Sequence, residues 1–358
     1  MGGIWNGIKG KEGKAVLCTR LGEPSESNLK VVYVPLSPSR KCPPGHVRIK
    51  VCAASINFAD MLQIAGQYQE KKKPPFVPGS EVSGWVLEIG DNVPPGLAVG
   101  DAVCALTFDG AFQEEVFAPS IAVVKIPNTS DVQSAAGLPV AFATAYMGLR
   151  DSGIRKGQTV LILGASGGVG SAAVQLSTIM GAKVICIARG RDKVAYLKNT
   201  LISLHDVSAI YIDSEGLSLQ EIKTAVKKHA EGGVDIVFDT VGGQLGNLAF
   251  NSLTAFGGHV VVVGFASGMI QEYKANIALV KNITVHGLYW GAHMARNPGS
   301  FRESLDAIAT YFARGDVHVP VSQVYPFEQA HCAFQMLKNR SVMGKLLLVP
   351  TTMPSSNL

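Results

Sequence analysis

The stretch ILGASGGVGSAAV, residues 162–174, constrains the fold more than any other part of the chain, because it matches two signatures of different chemistry. Gly164-Ala165-Ser166-Gly167-Gly168 fits G-x-S-x-G, the turn that presents a nucleophilic serine between a strand and a helix. Ala165-x-Gly167-x-x-Gly170 nearly matches the dinucleotide-binding turn, with Ala in place of the first Gly.

The residues around this stretch favour the dinucleotide-binding turn. A serine hydrolase needs an acid and then a histidine later in the chain, and that order is present: Asp239, then His259, His286 or His331. However, Gly167, Gly168 and Gly170 stand where a backbone approaches a pyrophosphate and a helix packs closely on a strand. A helix end at residues 181–182 and a second apolar strand from 183 complete a βαβ unit. We therefore interpret Ser166 and Val169, with the three glycines, as a phosphate-binding loop.

The end of the second strand indicates which dinucleotide is bound. An NAD site places an acidic residue about 20 residues after the loop, where it accepts from the ribose hydroxyls. Here Arg189 stands at the strand end, and a guanidinium suits a 2′-phosphate. Asp192 is the competing candidate, but a first helical turn explains it equally well. The sequence predicts NADPH, with Arg189 and Lys193 among the cofactor-binding residues.

The pattern of β-rich and helical segments changes after residue 130 and again near the C-terminus, which predicts two domains. Residues 14 to about 127 hold short β-rich segments broken by Gly and Pro, as in an antiparallel barrel or sandwich. After residue 130 helices alternate with apolar strands, among them 159–163, 183–188 and 234–239, which predicts a parallel sheet covered on both faces. Near the C-terminus, Ser300 and Glu303 have the spacing of a capping box opening a helix to about Arg314. The fold class is α/β, with a doubly wound domain inserted into a β-rich one.

The composition excludes several classes of protein. The apolar fraction is 47% and the charged fraction 16%, which is typical of globular chains. No apolar run approaches the roughly 18 residues that span a bilayer, and the N-terminus lacks a signal-peptide profile. Six scattered cysteines show no metal-ligand spacing. We expect a cytoplasmic protein, although Ser356-Asn357-Leu358 resembles a weakened peroxisomal address.

Several short stretches together resemble the medium-chain dehydrogenase/reductase superfamily. They are the phosphate loop and residues 57–60 (NFAD), 78–81 (PGSE), 144–146 (TAY), 238–243 (FDTVGG) and 344–345 (GK). Within that superfamily the chain is similar to the zeta-crystallin-like quinone oxidoreductases, from about Lys14 to Pro350. The resemblance implies a GroES-like β-rich catalytic domain (1–138 and 285–358), a Rossmann domain (139–284) and an active site in the cleft between them.

The resemblance also bears on the metal. Zinc-dependent members place a cysteine and a histidine where this sequence has Asn57 and Ser80, and the four cysteines of their structural zinc lobe are absent here. Neither an amide nor a hydroxyl replaces thiolate and imidazole around Zn²⁺. We expect no catalytic metal, and therefore hydride transfer to an acceptor that is already activated, such as a quinone or an alkene conjugated to a carbonyl.

Further site residues follow from the resemblance alone. Asn57 and Tyr68 are implied as hydrogen-bond donors to the substrate at the nicotinamide end, beside Thr144. The implied cofactor contacts are Phe265, Ala266, Leu288, Tyr289, Arg340 and Lys345, the last two near the adenosine phosphate. Near the adenosine ribose the resemblance implies Ser214 or, in its place, Tyr211. Lys345 could equally be a charge at a strand end. Asp239 is given no catalytic role, since tying down the following glycine turn explains it as well.

Two other functions remain open from the sequence. An enoyl-thioester reductase shares this scaffold and should show a basic entrance, for which Lys71–Lys73 is the candidate. A protein that binds NADPH without turnover, as a structural or RNA-associated partner, is the second alternative, although aromatic and basic residues are not interleaved as nucleic-acid binding favours. A homodimer is expected, because relatives pair edge strands of their cofactor domains and the strand near Ile283–Leu288 is apolar.

Overall fold

A computed structural model describes residues 12–35, 41–107, 110–202 and 209–350. The chain divides into two compact units: Met1–Pro139 with Val321–Leu358, and Val140–Pro320. The C-terminal tripeptide considered as a peroxisomal address lies outside the described residues.

The strands are β1 (Glu12–Cys18), β2 (Leu29–Pro35), β3 (His46–Ile56), β4 (Glu81–Ile89), β5 (Ala102–Leu106), β6 (Glu115–Pro119), β7 (Val123–Lys125), β8 (Thr159–Leu163), β9 (Lys183–Ala188), β10 (Ala209–Asp213), β11 (Val234–Asp239), β12 (Thr254–Val262), β13 (Thr284–Gly287), β14 (Val321–Pro326) and β15 (Lys345–Val349). The helices are α1 (Phe58–Ile64), α2 (Leu138–Asp151), α3 (Gly168–Ile179), α4 (Arg191–Ile202), α5 (Leu219–Lys227), α6 (Gly243–Leu248), α7 (Ala275–Lys281), α8 (His293–Arg296), α9 (Pro298–Arg314) and α10 (Ala330–Lys338).

The first unit is built around a mostly antiparallel sheet. Its strands run in the order β14-β15-β3-β4-β5-β7, and β6 also pairs with β3. Strand β15, from the C-terminal end of the chain, pairs antiparallel with β3, so the two separate segments of this unit share one sheet. Alternate residues of β3, such as Val47, Ile49 and Val51, are buried in the apolar core. That alternation of apolar residues is what sequence analysis detects as β structure.

The second unit is a parallel sheet covered by helices. Its strands run β10-β9-β8-β11-β12-β13, and every pair is parallel. Counted along the chain, that is the order 3-2-1-4-5-6 of the dinucleotide-binding fold, whose ligand sites lie at the carboxyl ends of the strands. Strands β8, β9 and β11 have the bounds expected from sequence, and the predicted α/β fold class is confirmed.

The boundary between the units differs from the expected one at residues 284 and 285. Strand β13 begins at Thr284 and pairs with β12, with Val260 opposite Val285, so it belongs to the parallel sheet. The second unit continues through α8 and α9 to Pro320. The sequence has no glycine-rich or proline-rich linker at 285 that would separate the two parts of the chain.

The start of α9 corrects a prediction. Asn297 is the N-cap, accepting the N–H of Ser300 at 3.3 Å, and Pro298 takes the first helical position, where its missing N–H costs nothing. The capping box predicted from Ser300 and Glu303 is wrong. Both side chains instead bind the guanidinium of Arg150 on α2, since a half-buried cation competes strongly for their oxygens.

Candidate functional site

The loop between β8 and α3 is shaped by close backbone packing. Gly164 has φ +76°, a conformation that L side chains rarely adopt. A Cβ on Gly170 would lie 2.2 Å from the carbonyl oxygen of Gly164, so only glycine lets the first turn of α3 pack against the end of the strand. Gly167 is the N-cap, and a Cβ there would lie 3.6 Å from the same oxygen. The loop therefore has the fixed curvature that a phosphate cradle requires.

Neighbouring strands hold the loop in place. The N–H groups of Gly164 and Ala165 both donate to the carbonyl oxygen of Ile187 on β9, at 3.1 and 3.0 Å. From the other side, Thr240 donates its hydroxyl to the carbonyl oxygen of Leu163 at 2.8 Å. A Cβ on Gly164 would lie 2.6 Å from that Thr240 hydroxyl oxygen. The turn is fixed at the point where the strand order of the sheet reverses, between β8 and its neighbours β9 and β11.

The first turn of α3 is arranged to bind an anion. Its N-cap is a glycine, and no side chain caps the helix. The N–H groups of Gly168 and Val169 cannot find partners inside the helix, and the helix dipole places positive potential there. Ser166, which the G-x-S-x-G signature would make a nucleophile, is buried beside this turn with 6% of its surface exposed. These features fit the pyrophosphate of a dinucleotide.

The ends of β9 and β10 form the neighbouring part of the site. Arg189 follows β9 and is exposed, and Lys193 lies half-buried in the first turn of α4. Ser214 donates both its N–H and its hydroxyl to the carbonyl oxygen of Ala188, at 2.9 and 3.1 Å. Its hydroxyl proton is therefore used to join the two strand ends, which leaves the oxygen as an acceptor.

A carboxylate organises the same strand ends. Asp213 accepts from the N–H of Gly190 at 2.8 Å and from that of Glu215 at 2.9 Å. These contacts fix the loop that carries Arg189. One oxygen of Asp213 accepts both N–H groups and is used for this purpose. Sequence reasoning missed this role of Asp213, although its place at a strand end before Ser-Glu-Gly is a usual position for such a turn.

Three of the residues predicted near the nicotinamide lie on or next to α2 and β13 of the second unit. Thr144 is buried on α2, one helical turn before Gly148, where a Cβ would lie 3.0 Å from a methyl carbon of Leu288. Leu288 continues β13 by donating its N–H to Val262 at 3.0 Å. Tyr289 follows it, with 45% of its surface exposed.

The loop after β12 carries two further predicted residues. Ala266 donates its N–H to the carbonyl oxygen of Thr240 at 3.1 Å, which ties this loop to the turn that follows β11. Phe265 is 39% exposed, and its ring lies over Gly242, where a Cβ would come within 2.9 Å of it. The backbone of this loop is thereby fixed near the carboxyl end of the sheet.

Asp239 stabilises the glycine turn that follows β11. It is fully buried and accepts from the N–H groups of Val241 and Gly242, both at 2.8 Å. Gln271 also donates to it at 3.3 Å. Burial raises the pKa of this carboxyl, and the two N–H groups oppose the shift. These contacts confirm the interpretation that Asp239 ties down the turn.

A second group of polar side chains lies inside the first unit. Asn57 stands between β3 and α1; its Nδ2 donates to Glu81 at 2.8 Å, and its Oδ1 accepts from Lys345 at 2.7 Å. Asp60 accepts the backbone N–H of Asn57 at 2.7 Å, and the hydroxyl of Ser80 at 3.2 Å. We call these five residues the Asn57 cluster.

Lys345 occupies a different place from the one expected. Its side chain is 4% exposed and its ammonium lies 3.0 Å from a carboxylate oxygen of Glu81, which is fully buried. It also donates to the carbonyl oxygen of Ile56 at 3.2 Å. A buried ammonium paired in this way is not available to a phosphate, so the predicted adenosine-phosphate role of Lys345 is corrected. The β15 register places it there, with Leu346 opposite Ile56.

Burial of two carboxylates with one ammonium has an electrostatic cost in the Asn57 cluster. Burial raises the pKa of Asp60 to about 7; the N–H of Asn57 opposes the shift, and the nearby Glu81 adds to it. Asp60 therefore holds a proton over a range in which an exposed aspartate is ionised. Neither Asp60 nor Glu81 was predicted as a site residue, although each is an acid in an otherwise apolar segment of the sequence.

The remaining predicted residues of the first unit lie in loops. Tyr68 is half-buried after α1 and donates its N–H to Leu62 at 3.2 Å. Arg340 follows α10 with φ +56°, and its side chain is exposed.

Two of the lysines considered as a basic entrance bind groups close to them in the chain. Lys71 donates to the carbonyl oxygen of Gly66 at 2.6 Å. Lys72 donates to Gln63 at 3.1 Å and lies 5.6 Å from the ring centroid of Phe76. Two of the three charges are thus already engaged by neighbouring groups.

The described residues contain neither a candidate metal cluster nor a candidate membrane-spanning helix. Within residues 12–35, 41–107, 110–202 and 209–350, no group of three or more His, Cys, Asp or Glu side chains is placed to hold a metal ion. In the same part of the chain, no helix has both the length and the hydropathy to cross a membrane.

A glycine-built nucleotide loop on a parallel sheet and a GroES-like β unit together define a class of protein, the two-domain nicotinamide-dependent oxidoreductases. Comparison with known families agrees with this. Residues 43–128 match the alcohol dehydrogenase GroES-like domain, and residues 168–310 match the zinc-binding dehydrogenase family.

Individual relatives narrow the class. The chain is 37% identical over 344 residues to a quinone oxidoreductase-like protein 2 homolog of Nematostella vectensis, covering 94% of this chain and 89% of the relative. It is 35% identical over 347 residues to quinone oxidoreductase-like protein 2 of Bos taurus, covering 96% and 94%. The chain belongs to the medium-chain dehydrogenase/reductase superfamily and is an oxidoreductase of the quinone oxidoreductase-like type.

A solved structure supports the same assignment. The quinone oxidoreductase of Thermus thermophilus, also determined in complex with NADPH, superposes with a TM-score of 0.75 at 29% identity, over 94% of this chain and 99% of that one. Together with the loop geometry, this supports binding of a nicotinamide cofactor.

Proposed function

We propose that this protein is an NADPH-dependent reductase of quinones or α,β-unsaturated carbonyl compounds that works without a catalytic metal. The observation that carries the proposal is the Asn57 cluster, in which an amide is held by a buried Lys345–Glu81 pair. Two of its members, Asn57 and Ser80, stand at the sequence positions where zinc-dependent relatives hold metal ligands. The names of the curated relatives support reduction of quinone-like acceptors.

The residues around α3 fit a bound dinucleotide. Gly170 and Gly164 leave room that a Cβ would fill, and the uncapped helix start offers N–H groups to a pyrophosphate. Arg189 presents a charged, exposed side chain at the end of β9, which suits a 2′-phosphate, and Lys193 lies on the following turn. When bound, NADPH supplies the hydride. Phe265, Ala266, Leu288 and Tyr289, with Thr144, are proposed to surround the nicotinamide, and Ser214 and Arg340 the adenosine end.

A zinc ion does not fit the Asn57 cluster. Zinc in proteins takes thiolate, imidazole or carboxylate ligands in a tetrahedral set. Here the cluster offers the Asn57 amide, the Ser80 hydroxyl and the carboxyls of Asp60 and Glu81. Asp60 already accepts from Asn57 and Ser80, and the Lys345 ammonium already occupies an oxygen of Asn57 and one of Glu81. A second cation at the same oxygens would lie against that ammonium. No step of the proposed reaction therefore passes through a metal.

The proposed chemistry needs only polar groups at the acceptor. An enone takes a hydride at its β-carbon and a proton at its α-carbon, so NADPH and one proton give the saturated ketone and NADP⁺. Negative charge develops on the carbonyl oxygen, and a fixed N–H or O–H donor stabilises it. Asn57 and Tyr68 are the proposed donors, and the proton comes from solvent or from Tyr68.

Steady-state assays test this function. The purified protein is given NADPH or NADH with a panel of o- and p-quinones, 2-alkenals, ring enones and crotonyl thioesters. Turnover of quinones or enones with preference for NADPH is expected. Turnover of the thioester alone would favour an enoyl-thioester reductase instead, and tight NADPH binding without turnover of any acceptor would favour the binding-protein alternative.

Arg189→Asp tests the cofactor assignment. The variant should weaken NADPH binding by about 10-fold or more while NADH binding changes little, because a charged contact to the 2′-phosphate contributes roughly 1.5–3 kcal/mol. Equal loss for both cofactors, measured by fluorescence titration, would contradict it.

A homodimer and a cytoplasmic location are also proposed. The edge strand β13 leaves Val285 39% exposed, as expected of an edge that pairs with a second copy. Light scattering at micromolar concentration measures the mass, and a monomer would contradict the dimer.

A further inference from the structure

The amide of Asn57 is held by partners of opposite hydrogen-bonding character. The Lys345 ammonium has only donors, so the atom that faces it at 2.7 Å must be Oδ1. The Glu81 carboxylate, which is paired with the Lys345 ammonium, has only acceptors, so the atom that faces it at 2.8 Å must be Nδ2. The two partners together allow a single orientation of the amide.

The three side chains form a closed ring. One oxygen of Glu81 accepts both from Asn57 Nδ2 and from Lys345 Nζ, at 2.8 and 3.0 Å. All three are buried, and hydrogen bonds at low dielectric are stronger and polarise one another. The ammonium draws electron density toward Oδ1, which makes the amide N–H groups better donors.

One hydrogen of Nδ2 is left over by this ring. Nδ2 carries two hydrogens, and Glu81 takes one of them. Over the described residues, no other acceptor is bonded to Nδ2, and 9% of the Asn57 surface remains exposed. The ring thus leaves one polarised N–H with a fixed direction.

We propose that Lys345 and Glu81 are positioning residues, which orient and polarise the Asn57 amide so that its remaining N–H donates a hydrogen bond to the carbonyl oxygen of the substrate. The inference rests on the proposed reductase function. It implies that the site selects substrates with a carbonyl oxygen that becomes negative during reduction. Lys345 and Glu81 act only through Asn57 and do not touch the acceptor.

A double variant removes the two charges that orient the Asn57 amide and keeps side chains of similar volume. In Lys345→Met with Glu81→Gln, both charges disappear together, so neither is left buried alone. The glutamine side chain introduced by Glu81→Gln has both a donor and an acceptor and can face Asn57 in either sense, so the amide is no longer fixed. The matched control is Lys14→Met with Glu328→Gln, which removes another lysine–glutamate pair of the same unit, with N···O at 2.7 Å, outside the cluster.

The double variant should lower kcat for the preferred acceptor by about 10- to 100-fold, as misplaced groups do in active sites. Its dissociation constant for NADPH should stay within about 2-fold, and the control pair should leave kcat unchanged. In an Asn57→Ala background the double variant should have no further effect, since its action passes through Asn57. Equal loss in both backgrounds would overturn the proposal.

A second readout does not depend on turnover. Cyclohexanone labelled with ¹³C at its carbonyl carbon is bound to the protein with NADP⁺, and its C=O stretch is measured by infrared difference spectroscopy. A stretch lowered in the wild type and restored toward its solution value in the double variant supports the positioning, even if no acceptor is turned over and the proposed function fails. If acceptors are turned over but the C=O stretch is unchanged in the wild type and in the double variant, the proposed positioning of Asn57 is overturned. The absence of any carbonyl signal from the bound ketone overturns it as well.

Discussion

The phosphate loop and the Asn57 cluster solve the problem of building a site in opposite ways. The loop is made of backbone, and its geometry depends on the absence of side chains at Gly164 and Gly170. The Asn57 cluster is made of side chains, and its geometry depends on buried charges that must balance one another. The first kind of site fails when an atom is added, and the second fails when a charge is removed.

The largest expected effect follows from removing one charge of the cluster. Lys345→Met leaves Glu81 buried without its cation, and such changes cost about 3–5 kcal/mol of unfolding free energy. Adding Glu81→Gln should recover most of that loss. Urea unfolding of both variants measures it, and equal stability of the single and double variants would show that the pair is not electrostatically coupled.

The next effect depends on pH. The Asp60 pKa is raised from 3.8 to about 7 in the folded protein, so the folded state holds a proton that the unfolded state has lost between these values. The stability provided by that proton is present below about pH 4 and is lost as pH rises toward 7. At about 1.4 kcal/mol per pKa unit, the loss is at most about 4 kcal/mol.

Asp60→Asn removes this dependence. The unfolding free energy of the wild type, minus that of the variant, should fall as pH rises from about 4.5 to about 8, because the asparagine side chain of the variant has no proton to lose. Unfolding curves at both pH values give the difference. A difference that stays constant would mean that Asp60 titrates like an exposed carboxyl.

Crowding the phosphate loop should have an intermediate effect. Gly170→Ala places a Cβ 2.2 Å from the carbonyl oxygen of Gly164, and overpacking of this kind costs about 1–3 kcal/mol. The matched control is Gly167→Ala, whose Cβ meets nothing closer than 3.6 Å and whose φ of −78° suits alanine. The control should stay within about 0.5 kcal/mol of the wild type without cofactor. Equal losses in thermal melts would contradict the packing argument.

The smallest effect is expected at Asp239. In Asp239→Asn the remaining oxygen still accepts from Val241 and Gly242, and Gln271 can turn its amide to accept from the new NH₂, since its Oε1 lacks a partner among the described residues. The stability should change by less than about 1 kcal/mol. The NADPH dissociation constant should change by less than about 3-fold, and a large loss of turnover with normal stability would indicate a chemical role instead.

The same contrast explains what the sequence could predict. Backbone-built features are local: the glycine spacing at 164–170 and the apolar strands β8, β9 and β11 are visible in short windows, and the structure has those strands at the expected bounds. The role of Asp239 was also predictable, because its partners are two and three residues away.

The contacts of the Asn57 cluster could not be predicted from short windows of the sequence. Lys345 contacts Asn57 across 288 residues and Glu81 across 264 residues of chain. The pairing depends on β15 lying beside β3, and no local pattern specifies that neighbour. The sequence therefore identified Asn57 and Lys345 separately, and assigned Lys345 to a phosphate instead of to Glu81. The start of α9 was missed for a related reason, because the partner of Glu303 is Arg150, on another helix.

The most direct test of the central claim follows the hydride. A single turnover of cyclohex-2-enone with NADPH deuterated at C4 of the nicotinamide, on the face that the enzyme uses, is analysed by mass spectrometry and NMR. The account predicts one deuterium at the β-carbon of cyclohexanone, a solvent proton at the α-carbon and a slower reaction than with unlabelled NADPH. Product without deuterium, or bound NADPH that reduces neither this enone nor a quinone, would contradict it.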